Sequence, residues 1–266
     1  MPFDTREIVR IAIEAGQAIM EIYESSEGIE VQTKNDESPL TQADIAAHDT
    51  IVRGLTSIDP LTPIVSEEGR VGNPMDSDAS WLVDPLDGTK EFIKRNGMFT
   101  VNIALMKRDG DRWKPAFGVV HAPVSKTTWF GGGTVPATRI ADSVSEPISV
   151  NNQINTPTRL VASGSHRAER DERFAEQLGR HDLVRMGSSL KACAVADGTA
   201  DLYPRFGPTS CWDIAAAHAV VESAGGFVLG PDCRSLDYDI VEDVLNPYFL
   251  VTCSADWNEI WAQNQD

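Results

Sequence analysis

Trp81-Leu82-Val83-Asp84-Pro85-Leu86-Asp87-Gly88-Thr89 is the stretch on which the reading of this chain turns. One aromatic and two aliphatic residues predict a buried strand. Proline, with its fixed φ and missing donor, predicts that the strand ends at Asp84-Pro85 with a carboxylate at its tip. Gly88 follows, able to take a positive φ or to let a ligand approach the backbone. Two carboxylates three residues apart around a tight turn, Asp84 and Asp87, can face one point. The Leu86 carbonyl between them can face it too, and oxygen ligands of this kind suit a hard divalent cation such as Mg²⁺. A helix starting near Thr89 would add its unpaired N–H groups, which favour a phosphate. The competing reading is an Asp-rich turn that merely caps a helix.

Working outward, Ile8, Ile11, Ala12, Ala15, Ile19 and Ile22 recur at helical spacing behind Asp4 and Glu7, which resemble a capping box. Gln32 to Pro39 reads as a turn or mobile loop holding Lys34. A second helix begins near Thr41, whose spacing to Asp44 is also that of a capping box. Pro63 to Gly69 reads as a short strand ending in the acids Glu67 and Glu68, neighbours that point to opposite faces, so that only one of them shares a site directly with Asp84. Beyond the central stretch come a helical turn over 90–95, strands over 99–106 and 116–121 joined at Asp109-Gly110-Asp111, and a strand over 127–130 broken by three glycines. Composition shifts near Ser145-Glu146-Pro147 and again over 151–157, which predicts a boundary between an α+β part, 1–150, and an α/β part, 151–266. In the second part, strands over 159–162, 182–186 and 200–203 alternate with helices over 169–178 and 189–195. Ser210 and Asp213 open a further helix that Gly225-Gly226 ends, and strands over 227–229 and 248–252 close the chain.

The 266 residues are 41% hydrophobic and 24% charged, with 40 acids against 23 bases and a net charge of −17. Such a balance excludes a nucleic-acid polymer as partner, because no basic surplus exists to neutralise phosphates. Cys193, Cys211, Cys233 and Cys253 form no CxxC pair, so zinc ribbons and redox motifs are unsupported and reduced thiols are expected. The start, Met1-Pro2-Phe3-Asp4, has no basic or apolar leader, and no run reaches the ~18 apolar residues of a transmembrane segment. The expectation is a cytoplasmic protein of unread oligomeric state.

Four pieces place acids at element ends: Thr41-x-x-Asp44, Ser66-Glu67-Glu68, the Asp84 to Thr89 stretch, and Trp212-Asp213. In this order they resemble the lithium-sensitive, magnesium-dependent phosphatase superfamily that includes inositol monophosphatase, with its two signature blocks matched by 81–92 and 212–226. Three stretches, 81–97, Gly187-Ser188-Ser189-Leu190-Lys191 and Leu202-Tyr203-Pro204-Arg205-Phe206-Gly207-Pro208, are most similar to the bacterial 3′(2′),5′-bisphosphate nucleotidases within that superfamily.

This resemblance, which spans nearly the whole chain, implies a layered αβαβα sandwich and a role for each matching position. Glu67, Asp84 and the Leu86 carbonyl would hold one Mg²⁺. Asp84, Asp87 and Asp213 would hold a second, and Glu67 would support a third. Thr89, held by Asp44, would orient the attacking water, with Gly88 and Thr89 N–H groups on the phosphate. Glu68 would be a supporting or structural residue. Ser188, Lys191 and Arg205 would bind the nucleotide with Asp213, and His166 would pack against adenine. Loose association with the inner membrane is also implied. Inositol phosphatases usually carry an acid seven residues before the helix Asp; here Phe206 stands there beside Arg205, a departure that counts against inositol phosphate. The expected activity is hydrolysis of the 3′-phosphate of adenosine 3′,5′-bisphosphate, or of the 3′-phosphorylated sulfate-donor nucleotide. The alternatives are an inositol- or sugar-phosphate phosphatase, and a metal- or nucleotide-binding module without turnover. His121 and His218 sit in apolar patterns and take no catalytic role.

Overall fold

The computed structural model describes residues 4–25, 31–33, 39–153, 156–163 and 169–265, so that Lys34 and His166 lie outside the described residues. Helix α1 (Thr5–Tyr23) is capped by the Asp4 carboxylate on Arg6 N–H and buries Ile8, Ile11, Ala12, Ala15 and Ile19. Glu7, expected to close a box with Asp4, pairs with Arg10 instead at 2.9 Å. Where a loop is expected, Val31–Thr33 (β1) and Pro39–Thr41 (β2) pair as a short antiparallel ladder that leads into α2 (Gln42–Ile58).

A mixed sheet follows, built from β3 (Ile64–Ser66), β4 (Gly69–Val71), β5 (Ala79–Asp87), β6 (Thr100–Asp109), β7 (Arg112–Ala122), β8 (Thr127–Gly132), β9 (Val135–Ala141) and β10 (Val144–Pro147). Its order is β10-β9-β8-β7-β6-β5-β3-β4, antiparallel throughout except where β3 lies parallel to β5. The short helix α3 (Thr89–Ile93) sits between β5 and β6. One expectation changes here. Strand β8 runs on through Gly131 and Gly132, because its ladders continue to Gly118 of β7 and Val135 of β9. The composition shift at 145–147 is the edge strand β10. It joins β9 through Asp142-Ser143, both at positive φ (50° and 63°), the turn whose twist suits a two-residue hairpin.

Alternation along these strands sorts two cores. Trp81, Val83, Val101, Ile103, Leu105, Phe117 and Val119 face α1 and α2. Leu82, Ala104, Met106, Val120 and Ala122 face the opposite way, toward α5 (Leu190–Ala196) and α6 (Cys211–Ser223). Those two helices are sandwiched against a second sheet of order β12-β11-β13-β15-β14, formed by β11 (Thr158–Ser163), β12 (His181–Met186), β13 (Leu202–Arg205), β14 (Phe227–Leu229) and β15 (Phe249–Thr252). On its far side α4 (Glu169–Gln177) and α7 (Asn258–Ala262) bring Phe174 and Trp261 onto Leu160, Leu202 and Leu250. The result is five layers, αβαβα. The four cysteines are free thiols. Among the described residues no helix is long and apolar enough to cross a membrane.

Candidate active site

Strand β5 does not stop at Pro85. It continues to Asp87 through a bulge: Asp84 lies opposite Asn102 and Asp87 opposite Thr100, so two residues of β5, Pro85 and Leu86, face one of β6. A bulge is where a strand tolerates a proline, because one residue leaves the ladder. The extra residue inverts the face of everything after it. Leu86 therefore turns into the core under α1 and α2, while Asp84 and Asp87 both point toward α6. Without it, carboxylates three positions apart would lie on opposite faces.

Helix α6 brings the third acid. Ser210 and Asp213 form a capping box, with the Ser210 N–H donating to Asp213 Oδ2 at 2.9 Å. Asp84, Asp87 and Asp213 thereby offer oxygens that lie within 4.8 Å of one another. Each acid is anchored by one oxygen. Asp84 Oδ1 accepts the Leu86 N–H at 3.1 Å, and Asp87 Oδ2 accepts the Ser189 N–H and the Ser188 hydroxyl, each at 2.7 Å. Among the described residues no hydrogen bond engages the second oxygen of any of the three, which fits a ligand there.

Asp44 follows the same plan at the start of α2. Its Oδ2 accepts the Thr41 N–H at 2.8 Å and the Thr41 hydroxyl at 2.6 Å, while Oδ1 accepts the Thr89 hydroxyl at 3.3 Å. The cap and the link to Thr89 are both present, on different oxygens. Thr89 Oγ1 also lies 3.4 Å from the Leu86 carbonyl. Glu67 leaves β3 beside this group, with its N–H on Val83 O at 3.1 Å, and Glu68 N–H reaches Ser66 Oγ at 3.4 Å.

So many acids in one buried notch disfavour their own ionisation. Burial, then the charges of Glu67, Asp87, Asp213 and Asp44, push Asp84 well above the usual carboxylate range. Burial and Asp87 raise Asp213 to about 7, against the Ser210 N–H that lowers it. A divalent cation would relieve this repulsion. The donors are all hard oxygens, which fits Mg²⁺ and offers nothing to a thiophilic metal.

Above the notch opens a cavity of about 250 Å³ lined by Asp87, Gly88, Ser188, Asp213 and, among others, four cations: Lys90, Lys94, Lys191 and Arg205. Lys191 is buried, with its ammonium donating to Ser188 O at 2.7 Å and lying 5.4 Å from the centre of the Tyr203 ring. Burial pulls it down to about 8. The Arg205 guanidinium donates to Pro208 O at 3.0 Å, and its buried Nε has no hydrogen-bond partner among the described residues. The sequence reading missed Lys90 and Lys94, although their i,i+4 spacing beyond Asp-Gly-Thr was a signal. It also missed Tyr203, and Asn102 behind Asp87. His121 and His218 are buried, bonded to Thr128 and Tyr238, away from the notch.

The sequence profile of the inositol monophosphatase family matches residues 4–259. The chain is 44% identical over 252 residues to the 3′(2′),5′-bisphosphate nucleotidase CysQ of Salmonella typhimurium, covering 92% of this chain and 98% of that protein. It is 45% identical over 248 residues to CysQ of Escherichia coli, with the same coverage. The crystal structure of CysQ from Bacteroides thetaiotaomicron superposes with a TM-score of 0.79 at 37% identity, over 94% of this chain and 97% of that one.

Proposed function

This chain belongs to the inositol monophosphatase family, and from that premise we propose that it removes the 3′-phosphate of adenosine 3′,5′-bisphosphate, giving AMP and phosphate. The 3′-phosphorylated sulfate-donor nucleotide would be a second substrate. The observation that carries the reading is the convergence of three carboxylates beneath a cavity whose wall bears four cations, in a chain of net charge −17. Its similarity to bisphosphate nucleotidases, rather than to inositol phosphatases alone, points to the nucleotide.

Members of the family depend on metal, and the carboxylate cluster suits Mg²⁺, two or three ions per site. Glu67, Asp84 and the Leu86 carbonyl would hold one, and Asp84, Asp87 and Asp213 another. Bound cations supply positive charge where the attacking and leaving oxygens become negative. The chain's own residues orient the reactants. Asp44 Oδ1 accepts a hydrogen bond from the Thr89 hydroxyl, which would leave a lone pair on Thr89 Oγ1 to accept one proton of the attacking water and align it. The Gly88 and Thr89 N–H groups hold the phosphate that is cut. Lys191 and Arg205 hold the phosphate that stays, with Ser188 on the same wall. His166 would pack on the adenine. Glu68 supports the turn after β3.

Phosphate release from adenosine 3′,5′-bisphosphate, inositol monophosphate and fructose bisphosphate, with and without Mg²⁺, tests this reading. Release that needs Mg²⁺ and is fastest on the adenosine compound is expected. Preference for inositol monophosphate would return the chain to the broader family activity, and no release from any of them would leave a binding module.

A further inference from the structure

Behind Asp87 lies a buried polar network of which the proposed chemistry uses only Ser188. Ser189 is 3% exposed, Asn102 1% and Thr100 0%. Ser189 stands at the turn between β12 and α5, in the second half of the chain, while Asn102 and Thr100 stand on β6 in the first. Ser189 Oγ lies 3.0 Å from Asp87 Oδ2 and 2.5 Å from the Asp213 carbonyl, and it accepts a hydrogen bond from Asn102 Nδ2 at 2.9 Å. Asn102 Nδ2 also approaches Asp87 Oδ2 at 3.4 Å, and Asn102 Oδ1 accepts the Thr100 hydroxyl at 2.9 Å. Thr100 in turn meets Ser188 Oγ at 2.6 Å.

One side chain thus touches the two acids that come from different layers: Asp87 from the large sheet, Asp213 from the first turn of α6. Buried polar groups of this kind stay only where partners satisfy them, and here the partners are the scaffold of the notch. We propose that Ser189 is a positioning residue that fixes the separation of Asp87 and Asp213, with Asn102 setting the orientation of its hydroxyl. This rests on the phosphatase reading for the claim that these two acids hold a cation. Ser189 lines the floor of the cavity, but its hydroxyl is engaged by Asp87 Oδ2 and the Asp213 carbonyl, so it acts through these two residues. It carries the second half of the chain onto the first at the point where ligands from both must meet.

Outer partners of metal ligands typically change affinity about ten- to hundredfold when removed. The full chain, stripped of metal, is titrated with Mn²⁺ by calorimetry and by loss of the free Mn²⁺ paramagnetic signal. Ser189→Ala should weaken the tightest Mn²⁺ site by about ten- to hundredfold. Asn102→Ala, acting on the same hydroxyl from β6, should weaken it in the same direction. Activity should recover as Mg²⁺ is raised. Ser80→Ala is the control: an equally buried hydroxyl on β5, whose bond goes to Pro63 O at 3.1 Å, and its removal should leave Mn²⁺ affinity unchanged. Wild-type affinity in both Ser189→Ala and Asn102→Ala overturns the proposal. So does an equal loss in Ser80→Ala, or loss of near-ultraviolet circular dichroism in both metal-free variants, since the hydroxyl would then be holding the fold. A wild-type chain that binds no Mn²⁺ sinks the phosphatase reading as well, so the two failures are told apart.

Discussion

Asp44 divides its work between two oxygens, one on the Thr41 cap and one on Thr89. Asp44→Asn keeps the size and loses the charge, so two outcomes are expected together. Without the proton-orienting link kcat should fall about 10²–10⁴-fold with KM little changed. The weakened cap should cost about 1 kcal/mol of stability. Steady-state kinetics and denaturant unfolding on the same variant decide it; a stability loss with normal kcat would leave Asp44 a cap alone. Asp84 carries the opposite balance. Its charge is costly without a cation beside it, since burial first and then four neighbouring acids raise the carboxyl well above the usual carboxylate range. Asp84→Asn should therefore lower activity by several kcal/mol in the transition state, about tenfold for each 1.4, yet raise the unfolding midpoint of the metal-free protein. A lower midpoint without metal would mean that the acid is a structural part of the turn. These acids were legible because a short motif and two cap spacings place them. Asn102 was not, because a lone polar residue within a buried strand breaks no period and looks like any surface residue; Ser189 stood inside the matched 187–191 stretch, where nothing in the sequence gave it a role of its own.

The strand β5 shows what element-scale reading misses. Proline is a sound signal that a strand ends, and in an unbulged ladder it would be. Only the pairing of Asp84 with Asn102 and Asp87 with Thr100 reveals the bulge, and pairing is set by β6, remote in sequence. Helix α6 is the other case. Its cap and its end at Gly225-Gly226 are written in the sequence. Its position between two sheets shows only as apolar residues on every side, Ile214 to Ala217 and Val220 among them. Small residues let it sit close: a Cβ on Gly118 of β7 would lie 2.0 Å from the Ala216 carbonyl. Gly118→Ala should therefore lift α6 from the sheet. Overpacking of this kind costs about 1–3 kcal/mol or more, and because Asp213 rides on the first turn of α6, Mn²⁺ affinity should fall as well. Denaturant midpoint and metal titration on one variant test both; a lower midpoint with unchanged metal binding would show that the N-terminus of α6 is held independently of its middle.

At the scale of the molecule, the alternation of strands and helices made the layered architecture readable, whereas the edge hairpin β9–β10 was not, its residues being nearly all half-exposed or exposed and weakly patterned. Charge is the other global property. A net −17 repels an anionic nucleotide, and the chain answers it locally by lining one cavity with Lys90, Lys94, Lys191 and Arg205. The four do not act alike. Lys90 and Lys94 are exposed, so their effect is steering that salt should screen. Lys191 is buried, so its effect is contact. Replacing it by Met, or Arg205 by Gln, removes a charge-assisted hydrogen bond worth about 1.5–3 kcal/mol. The corresponding loss in kcat/KM for adenosine 3′,5′-bisphosphate is about ten- to hundredfold. A monophosphate that lacks the second group should lose far less, since nothing was gripped there. Acidity provides an independent reading. Burial pulls the Lys191 ammonium down to about 8, and kcat/KM reports the free enzyme. Protonated Lys191 binds the phosphate and the neutral amine does not, so kcat/KM on the bisphosphate should decline as pH rises through about 8. In Lys191→Met that decline should vanish. Measured at fixed ionic strength, equal losses on both substrates, or an unchanged alkaline limb in the variant, would show that these cations act through the general field and hold no second phosphate.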